Sequence, residues 1–296
     1  MRETGDMIPR PQIRAMTRPE VDVLVEWATA EGWNPGLHDA DAFWATDPDG
    51  WIAAETEGEL IGGGSIVSYD GRFGFMGFFI VRPDYRGRGW GGELWHERKR
   101  RLFGRLDAGA AIGMDGVFEM QDWYAKGGFV FERRDIRYRA IAAGPTHATG
   151  GDGVHLVDAS DVGFEDLVAY DAGGFGVARE RFLGNWIGQP EGDDRVALAG
   201  GQIVGFGVIR RCREGAKVGP LFADGADIAR SLYDDLAATY VGEPVFLDIP
   251  EDNVDAMAFA RERGMEEVFG CARMAVGTPP PTVTGRTWGV TTFELG

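Results

Sequence analysis

The stretch that decides the fold is FIVRPDYRGRGWGG, residues 79–92. An apolar strand is predicted to stop at Pro83, and a glycine-rich turn then opens into a helix predicted over residues 91–104. Glycines let the main chain curl so that successive N–H groups converge, and a helix start adds unpaired N–H groups and a positive dipole end. We therefore predict a cradle for an anion such as a pyrophosphate, with Arg86 and Arg88 adding positive charge.

The elements around this stretch occur twice along the chain. The pattern predicts, in order, a helix at 13–31, a hairpin turning at 57–59, the strand at 73–81, the helix at 91–104, a strand at 110–114, a helix at 119–126 and a strand at 129–141. The same order recurs between residues 163 and 276, and residues 290–295 are predicted as one closing strand. This order favours a mixed α/β (α+β) fold with two tandem domains of one type, each a mostly antiparallel sheet with flanking helices.

Composition indicates the domain boundaries. Residues 1–11 are polar and lack an apolar core, so we expect a disordered N-terminus. Residues 144–153, GPTHATGGDG, are small and unpatterned, which is typical of a linker. We therefore predict a first domain over residues 12–143 and a second over residues 154–296.

Two ligand classes fit the predicted cradle. Gly87, Gly89 and Gly92 also spell the G-x-G-x-x-G of dinucleotide-binding proteins. That motif normally follows its strand directly and opens a βαβ unit, whereas here residues 83–86 intervene and two antiparallel-type strands come first. The pattern therefore disfavours a dinucleotide, and a glycine-rich turn without any ligand is the structural alternative.

The same stretch resembles the acetyl-CoA loop of the GNAT superfamily of N-acetyltransferases, in which Arg/Gln-x-x-Gly-x-Gly/Ala binds the pyrophosphate of coenzyme A. Arg86, Gly89 and Gly91 occupy those three places. The resemblance implies that acetyl-CoA is the acyl donor and that the strand before the loop splays from its neighbour to admit the pantetheine arm. The donor-binding residues that it implies are Phe79, Ile80, Val81, Arg86, Gly87, Arg88, Gly89, Trp90 and Gly91.

A second motif agrees with the first. Residues 123–129, WYAKGGF, resemble the family's Leu/Phe-Tyr-x-x-x-Gly-Phe, in which the tyrosine lies near the sulfur of coenzyme A. The resemblance implies that Tyr124 protonates the leaving thiolate. A free thiol has a pKa near ~8.5 and a phenol near ~10, so this proton transfer is close to balanced. The alternative is that Tyr124 is only a core aromatic residue on a helix.

Further segments narrow the resemblance. Residues 31–36, 113–117 and 288–296 resemble the tandem acetyltransferases of the YitH/HolE type, and this likeness covers nearly the whole chain. The second copy departs from the family pattern, because residues 219–227 lack the loop and carry two aspartates, and Ala260 stands in the tyrosine's place. We expect the second domain to bind no acetyl-CoA, to catalyse nothing alone, and to form part of the acceptor pocket.

An amine that attacks a thioester must lose a proton. The candidate acceptors of that proton are Glu26, Asp115 and His38, and each has a structural alternative: a helix surface, a turn and a helix cap. The sequence has no cluster of His, Cys and carboxylate residues at metal-ligand spacing, so we expect no metal.

Charge and composition limit the classes of partner that we expect this chain to bind. The chain has 296 residues and a net charge of −17, which disfavours nucleic acid and favours a small cationic acceptor. No apolar run is long enough for a membrane helix, and two cysteines make no disulfide framework, so we expect a cytoplasmic protein. The oligomeric state stays open.

The function that we predict is acetyl-CoA-dependent N-acetyltransfer to a small-molecule amine by direct transfer at the first domain. The alternative is a non-catalytic acyl-CoA-binding sensor.

Overall fold

The computed structural model describes residues 9–144, here called the first half, and residues 153–296, the second half. The first half contains β1 (Gln12–Ala15), α1 (Arg18–Ala30), α2 (Asp39–Thr46), β2 (Trp51–Thr56), β3 (Glu59–Ser65), β4 (Val67–Tyr69), β5 (Phe73–Phe75), β6 (Phe79–Val81), α3 (Trp90–Phe103), β7 (Ala111–Val117), α4 (Gln121–Lys126) and β8 (Val130–Ile141). The second half contains β9 (Val154–Val157), α5 (Phe164–Phe175), α6 (Glu180–Trp186), β10 (Gly192–Ala199), β11 (Gln202–Arg211), β12 (Ala216–Ala223), α7 (Ala226–Ala237), β13 (Pro244–Pro250), α8 (Val254–Glu262), β14 (Glu266–Val276) and β15 (Thr287–Gly289).

Local sequence explains why these elements form. The N–H of Thr17 donates to the Glu20 carboxylate at 2.7 Å and caps the start of α1. The hairpin between β2 and β3 turns at Glu57 and Gly58, whose φ angles of 52° and 80° lie in the left-handed region that glycine adopts without strain. In α3, buried side chains recur at helical spacing, at positions 90, 94, 95, 98 and 102.

The strands form two sheets. The smaller sheet has the order β1-β2-β3-β6, and the larger has the order β4-β5-β7-β14-β8-β13-β12-β11-β10-β9, with β15 beside β12. The pairs β5/β7 and β12/β13 are parallel, and the other neighbouring strands in these two orders pair antiparallel. None of the helices in the described ranges is long and apolar enough to cross a bilayer.

The two halves exchange their long last strands. β8 closes the first half in sequence, yet it pairs with β13 of the second half, Ile136 opposite Ile249. β14 pairs with β7 of the first half, Arg273 opposite Asp115, and also with β8. The larger sheet therefore runs without interruption through both halves, which the order of elements along the chain does not predict.

Each half has one place where parallel strands separate. β5 pairs with β7 at residues 73–75, but the chain then turns away, and β6 pairs with β3 instead. β12 pairs with β13 at residues 216–218 and likewise separates beyond that point. These two gaps occupy corresponding places in the two halves.

The second gap is filled by the chain itself. We call residues 285–291 the plug segment. Its strand β15 pairs with β12, Leu221 opposite Gly289, and the Val290 N–H donates to the Asp248 carbonyl of β13 at 2.8 Å. Trp288 within it is 2% exposed, and Arg286 holds the Asp224 carboxylate at 2.8 Å. The gap in the second half is therefore occupied by main chain and an indole.

Several sequence expectations needed correction. The predicted helix at 13–31 is β1 followed by α1, because residues 12–15 pair with β2 and Pro19 lies at the start of the helix. The predicted strand at 290–295 is wrong, since β15 ends at Gly289 and the following residues form no strand. The predicted disordered N-terminus and linker fall mainly on residues 1–8 and 145–152, outside the described residues, so the domain boundaries stay predictions.

Replacing Trp288 tests whether the plug segment supports the fold. We expect Trp288→Ala to lower the free energy of unfolding by about 3–5 kcal/mol, because it removes a large buried side chain and leaves a cavity. Urea denaturation measures the change. Val283→Ala is the matched control nearby, since Val283 is 47% exposed; its effect should stay within about 0.5 kcal/mol. Equal stability of the Trp288 variant and the wild type would contradict the packing described.

Candidate functional site

A cavity of about 710 Å³ lies in the gap of the first half, between β6 and β7. Its lining comes from both halves. The main groups of lining residues are β6 with the bulge before it (Met76–Val81), the loop (Arg86, Gly87, Gly89, Gly91, Gly92), helix α3 (Trp95, Arg98), β7 (Met114, Asp115, Val117), the α4 region (Glu119, Met120, Trp123, Tyr124), Glu31 and Trp33, and from the second half Phe269, Cys271, Phe293 and Glu294.

The loop at one end of the cavity presents free main-chain donors. Gly87 and Gly89 have φ angles of 79° and 85°, so the chain curls before α3 begins. In the part of the chain that the structure describes, the N–H groups of residues 87–91 have no hydrogen-bond acceptor. A Cβ at Gly87, Gly89 or Gly92 would meet nothing within 4 Å, so the space in front of these donors is open. This arrangement fits an anion the size of a pyrophosphate.

The side chains around the loop differ in position. The Arg86 Nε donates to the Val81 carbonyl at 2.7 Å, and its guanidinium pairs with Glu31, so Arg86 lies at the cavity edge. Arg88 lies over the Trp90 ring at 5.4 Å. Neither Arg88 nor Trp90 lines the cavity. Arg88 and Trp90, both predicted to bind the donor, therefore have free main-chain N–H groups but do not line the cavity.

Arg98 fixes the bulge that opens the gap. Its side chain is fully buried, and its Nη2 donates to the carbonyls of Ser65, at 2.6 Å, and Gly77. Its Nε and Nη1 have no hydrogen-bond partner within the described residues. Burial lowers the pKa of Arg98 to about 9, still above neutral, so the guanidinium is charged. A positive charge therefore lies at the wall of the cavity.

Tyr124 faces the same cavity from α4. Its ring stacks on Trp95, with 5.1 Å between ring centroids, and it is 5% exposed. Burial raises the pKa of Tyr124 to about 12, although the nearby Arg98 acts in the opposite direction. The phenol therefore keeps its proton at neutral pH. Its hydroxyl makes no hydrogen bond within the described part of the chain, so it is available to a bound molecule.

Asp115 is placed differently from its predicted role. Met114 packs in the same apolar cluster as Tyr124, and the Tyr124 ring would overlap a Cβ at Gly116. Because side chains alternate along a strand, the Asp115 carboxylate points to the opposite face of the sheet. There it accepts two hydrogen bonds from Arg273, at 2.7 and 2.8 Å. This position favours a structural ion pair rather than the predicted proton acceptor.

The other two proton-acceptor candidates lie away from the cavity. Glu26 on α1 is exposed and pairs with Arg213. His38 lies 3.2 Å from the Glu191 carboxylate at the contact of the two halves. Neither lines the cavity, so the structure brings neither Glu26 nor His38 to Tyr124.

Arg98 and Glu294 are among the cavity residues that the sequence did not single out. Arg98 precedes Lys99, Arg100 and Arg101 and resembles part of an exposed basic run, although its helical spacing from Leu94 and Leu102 indicates the buried face. No sequence pattern near Glu294 predicts that it lines the cavity, because its position depends on the path of the chain after the plug segment.

Comparisons with known proteins decide the family. Residues 18–129 match the family described as "Acetyltransferase (GNAT) family", and residues 167–289 match the "Acetyltransferase (GNAT) domain". The chain belongs to the GNAT superfamily. It is therefore an acyltransferase built from two GNAT domains, and the predicted fold class is confirmed.

Relatives extend the match over the whole chain. The holothin acyltransferase of Pseudoalteromonas sp. (strain SANK 73390) is 28% identical over 278 residues, covering 94% of this chain and 92% of its own. The uncharacterized N-acetyltransferase YitH of Bacillus subtilis (strain 168) is 27% identical over 195 residues, covering 64% and 67%. A provisionally assigned acetyltransferase from Pyrococcus horikoshii of known crystal structure has a TM-score of 0.81 at 22% identity, covering 100% and 99%.

The family also bears on cofactors. GNAT enzymes use acetyl-CoA, and the free amides of the loop fit its pyrophosphate. Within residues 9–144 and 153–296, no three His, Cys, Asp or Glu side chains are grouped so that they could hold a metal ion.

The Asp115–Arg273 pair connects the two GNAT halves and can be tested directly. We expect Arg273→Met to lower the free energy of unfolding by about 3–5 kcal/mol at neutral pH, because it leaves a buried carboxylate without its partner. Burial already raises the pKa of Asp115. The loss should therefore be smaller at acid than at alkaline pH, since protonating the unpaired carboxyl costs less as the pH falls.

A matched control for this variant is Arg139→Met. The Arg139–Glu266 pair is partly exposed, with side-chain exposures of 38% and 71%. Such pairs contribute about 0–1 kcal/mol. Denaturation curves at two pH values compare the variants, and equal effects of the two substitutions would argue against a buried structural pair.

Proposed function

We propose that this chain is an acetyl-CoA-dependent N-acetyltransferase that transfers the acetyl group directly to a small-molecule amine in the cavity of the first half. The observation that carries this proposal is the contrast between the two gaps. The gap of the first half holds a cavity with free amides at residues 87–91 and Tyr124 on its wall. The corresponding gap of the second half is filled by the plug segment.

The donor fits this cavity in three parts. The diphosphate of coenzyme A would accept hydrogen bonds from the N–H groups of residues 87–91, with the positive end of α3 behind them. The free edge of β6 offers main-chain groups of Phe79 and Val81 to an extended arm. The predicted contribution of the Ile80 main chain is not met, because Ile80 lies opposite Gly63 in the ladder and its main-chain groups face β3, as the Arg82 N–H does in donating to the Ile61 carbonyl. Arg86 can exchange its contact with Glu31 for the phosphates, because both side chains are partly exposed.

At the carbonyl carbon, the reaction forms one bond and breaks one. The amine nitrogen bonds to the thioester carbonyl carbon and loses a proton, the C–S bond breaks, and the thiolate takes a proton from the Tyr124 hydroxyl. The proton lost by the amine balances the one that the Tyr124 phenolate regains through solvent. Burial makes this phenol a weaker acid than in water, but the same apolar surroundings raise the basicity of the thiolate that leaves into them. The charged Arg98 guanidinium beside Tyr124 favours the negative charge during this transfer.

Relatives and charge support the acceptor class. The name of the holothin acyltransferase states that holothin is the acyl acceptor of that protein. The net charge of −17 of this chain favours an amine that arrives as a cation. Two free, buried cysteines, Cys212 and Cys271, are compatible with the cytoplasmic location that we propose.

Tyr124→Phe separates the enzyme from a sensor that only binds acyl-CoA. We expect kcat to fall by about 10²–10⁴-fold, because the thiolate leaves without a proton donor, while the Kd for acetyl-CoA stays unchanged in calorimetry. Release of free thiol measures kcat. Tyr138→Phe, on β8 outside the cavity, is the control and should keep full turnover. Unchanged turnover in Tyr124→Phe would remove the proposed role of Tyr124.

Gly89→Glu tests the cradle. A carboxylate in front of the free amides would repel the diphosphate, so we expect the Kd for acetyl-CoA to rise by about tenfold or more, or about 1.4 kcal/mol. Gly109→Glu is a matched control, because Gly109 has a φ of 86° against 85° for Gly89 and equally open surroundings, and it does not line the cavity. Comparable binding by the two variants would contradict the assignment of the loop.

A further inference from the structure

Glu294 is a buried residue of the cavity lining whose carboxylate has no partner among the described residues. It is 3% exposed and lines the gap between β6 and β7. Its carboxylate makes no hydrogen bond or ion pair to any residue that the structure describes. The carboxylates of Asp39, Asp171 and Asp248, which are equally buried, each pair with an arginine. Glu294 is therefore the carboxylate of this buried region that stays available to a bound molecule.

The main chain fixes Glu294 at the bulge where the gap opens. A Cβ at Gly77 would overlap the Glu294 carbonyl, so the two segments touch at this point. The Glu294 N–H donates to the Thr292 hydroxyl at 3.2 Å, and the Tyr69 hydroxyl donates to the Leu295 carbonyl at 2.7 Å. The bulge carbonyl of Gly77 is held by Arg98 from the side of Tyr124. Glu294 and Tyr124 thus line one gap from different segments.

Aromatic side chains surround Glu294 on this side of the cavity. Phe269 and Phe293 lie with ring centroids 6.1 Å apart, and Trp33 and Phe78 lie 6.2 Å apart. All four line the cavity. We call these four residues the aromatic wall. A molecule seated here meets apolar rings and the Glu294 carboxylate, which suits an amine carried on an apolar body.

The charges behind Glu294 favour a carboxylate that can gain and lose a proton. Burial raises its pKa, while Lys217, Arg137 and Arg210 act in the opposite direction. Arg137 and Arg210 are paired with Asp248 and Asp39, whereas Lys217 donates only to main-chain oxygens. The charged groups that act on Glu294 are Lys217, Asp39, Arg137 and Arg210. Cys271, Tyr124 and Arg98 line the same cavity.

We propose that the acceptor is an amine on an apolar, ring-sized body that packs against the aromatic wall, and that Glu294 accepts the proton which this amine loses. This inference rests on the proposed acetyl transfer. As the N–C bond forms and the C–S bond breaks, the amine proton passes to the Glu294 carboxylate and the Tyr124 proton passes to the thiolate. Both residues then return to their starting protonation by exchange with solvent.

Glu294→Gln tests the proton acceptor while keeping the side chain's size. We expect kcat/KM to fall by about 10²–10⁴-fold, with the Kd for acetyl-CoA and the Tm unchanged, and Glu294→Asp to recover part of the loss. In the wild type, kcat/KM expressed per neutral amine should fall as the pH drops through the raised pKa of Glu294, and the Gln variant should lose this acid limb. Glu267→Gln, exposed on β14 and outside the cavity, is the control.

The acceptor class is tested with 4-methoxyaniline, 2-phenylethylamine, spermidine and lysine. We expect kcat/KM for one of the two ring amines to exceed that for spermidine by about tenfold or more. Preference for spermidine would overturn the assignment of the aromatic wall. Wild-type activity in Glu294→Gln at every pH would overturn the role of Glu294.

Two further outcomes keep the inference and the proposed function distinguishable. If Glu294→Gln does not fold, the wild-type profile decides, because the absence of an acid limb contradicts the proposal without any variant. If the wild type binds acetyl-CoA but acetylates none of a broad panel of amines, the proposed function fails together with this inference.

Discussion

A buried arginine holds apart the two strands on which the site depends. Arg98 reaches from α3 and binds the carbonyls of Ser65, at the end of β3, and Gly77, where the chain between β5 and β6 leaves β7. Carbonyls that would otherwise join a regular ladder are satisfied by a guanidinium, so the strand can separate without leaving buried acceptors unpaired. The gap between β6 and β7 is therefore a stable feature of the fold. Arg98 accounts both for the unpaired edge of β6 and for the positive charge at the cavity wall.

The second half shows what happens to the same gap without these features. There the family's loop is absent, and Asp224 stands near the start of α7 and binds Arg286 of the plug segment. A strand edge left open to an apolar gap is unfavourable, and β15 covers it by pairing with β12 while Trp288 fills the space. The second GNAT domain thus keeps the fold of its family, and its gap contains a segment of its own chain.

The sequence predicted what local patterns determine. The glycine loop, the helix after it, the tyrosine of α4 and the repeated order of elements all depend on spacing within a few dozen residues, and the structure brings residues 79–91 and Tyr124 to one cavity. The roles of Asp115 and Glu26 could not be judged in this way, because their partners, Arg273 and Arg213, are distant in sequence. Glu294 was invisible for the same reason: its position is set by contacts with Gly77 and Tyr69, more than 200 residues away.

The exchange of β8 and β14 brings the second half, which lacks the donor loop, to the cavity of the first half. Because β14 lies beside β7, it contributes Phe269 and Cys271 to the cavity of the first half, and Arg273 neutralises Asp115 beneath it. The chain that fills the second gap then leads directly to Phe293 and Glu294. The plug segment therefore fills the gap of the second half, which lacks the donor loop. The residues that follow it, Phe293 and Glu294, line the cavity of the first half, which has the loop. The second half therefore contributes to the cavity of the first half through β14 and through the chain that follows the plug segment.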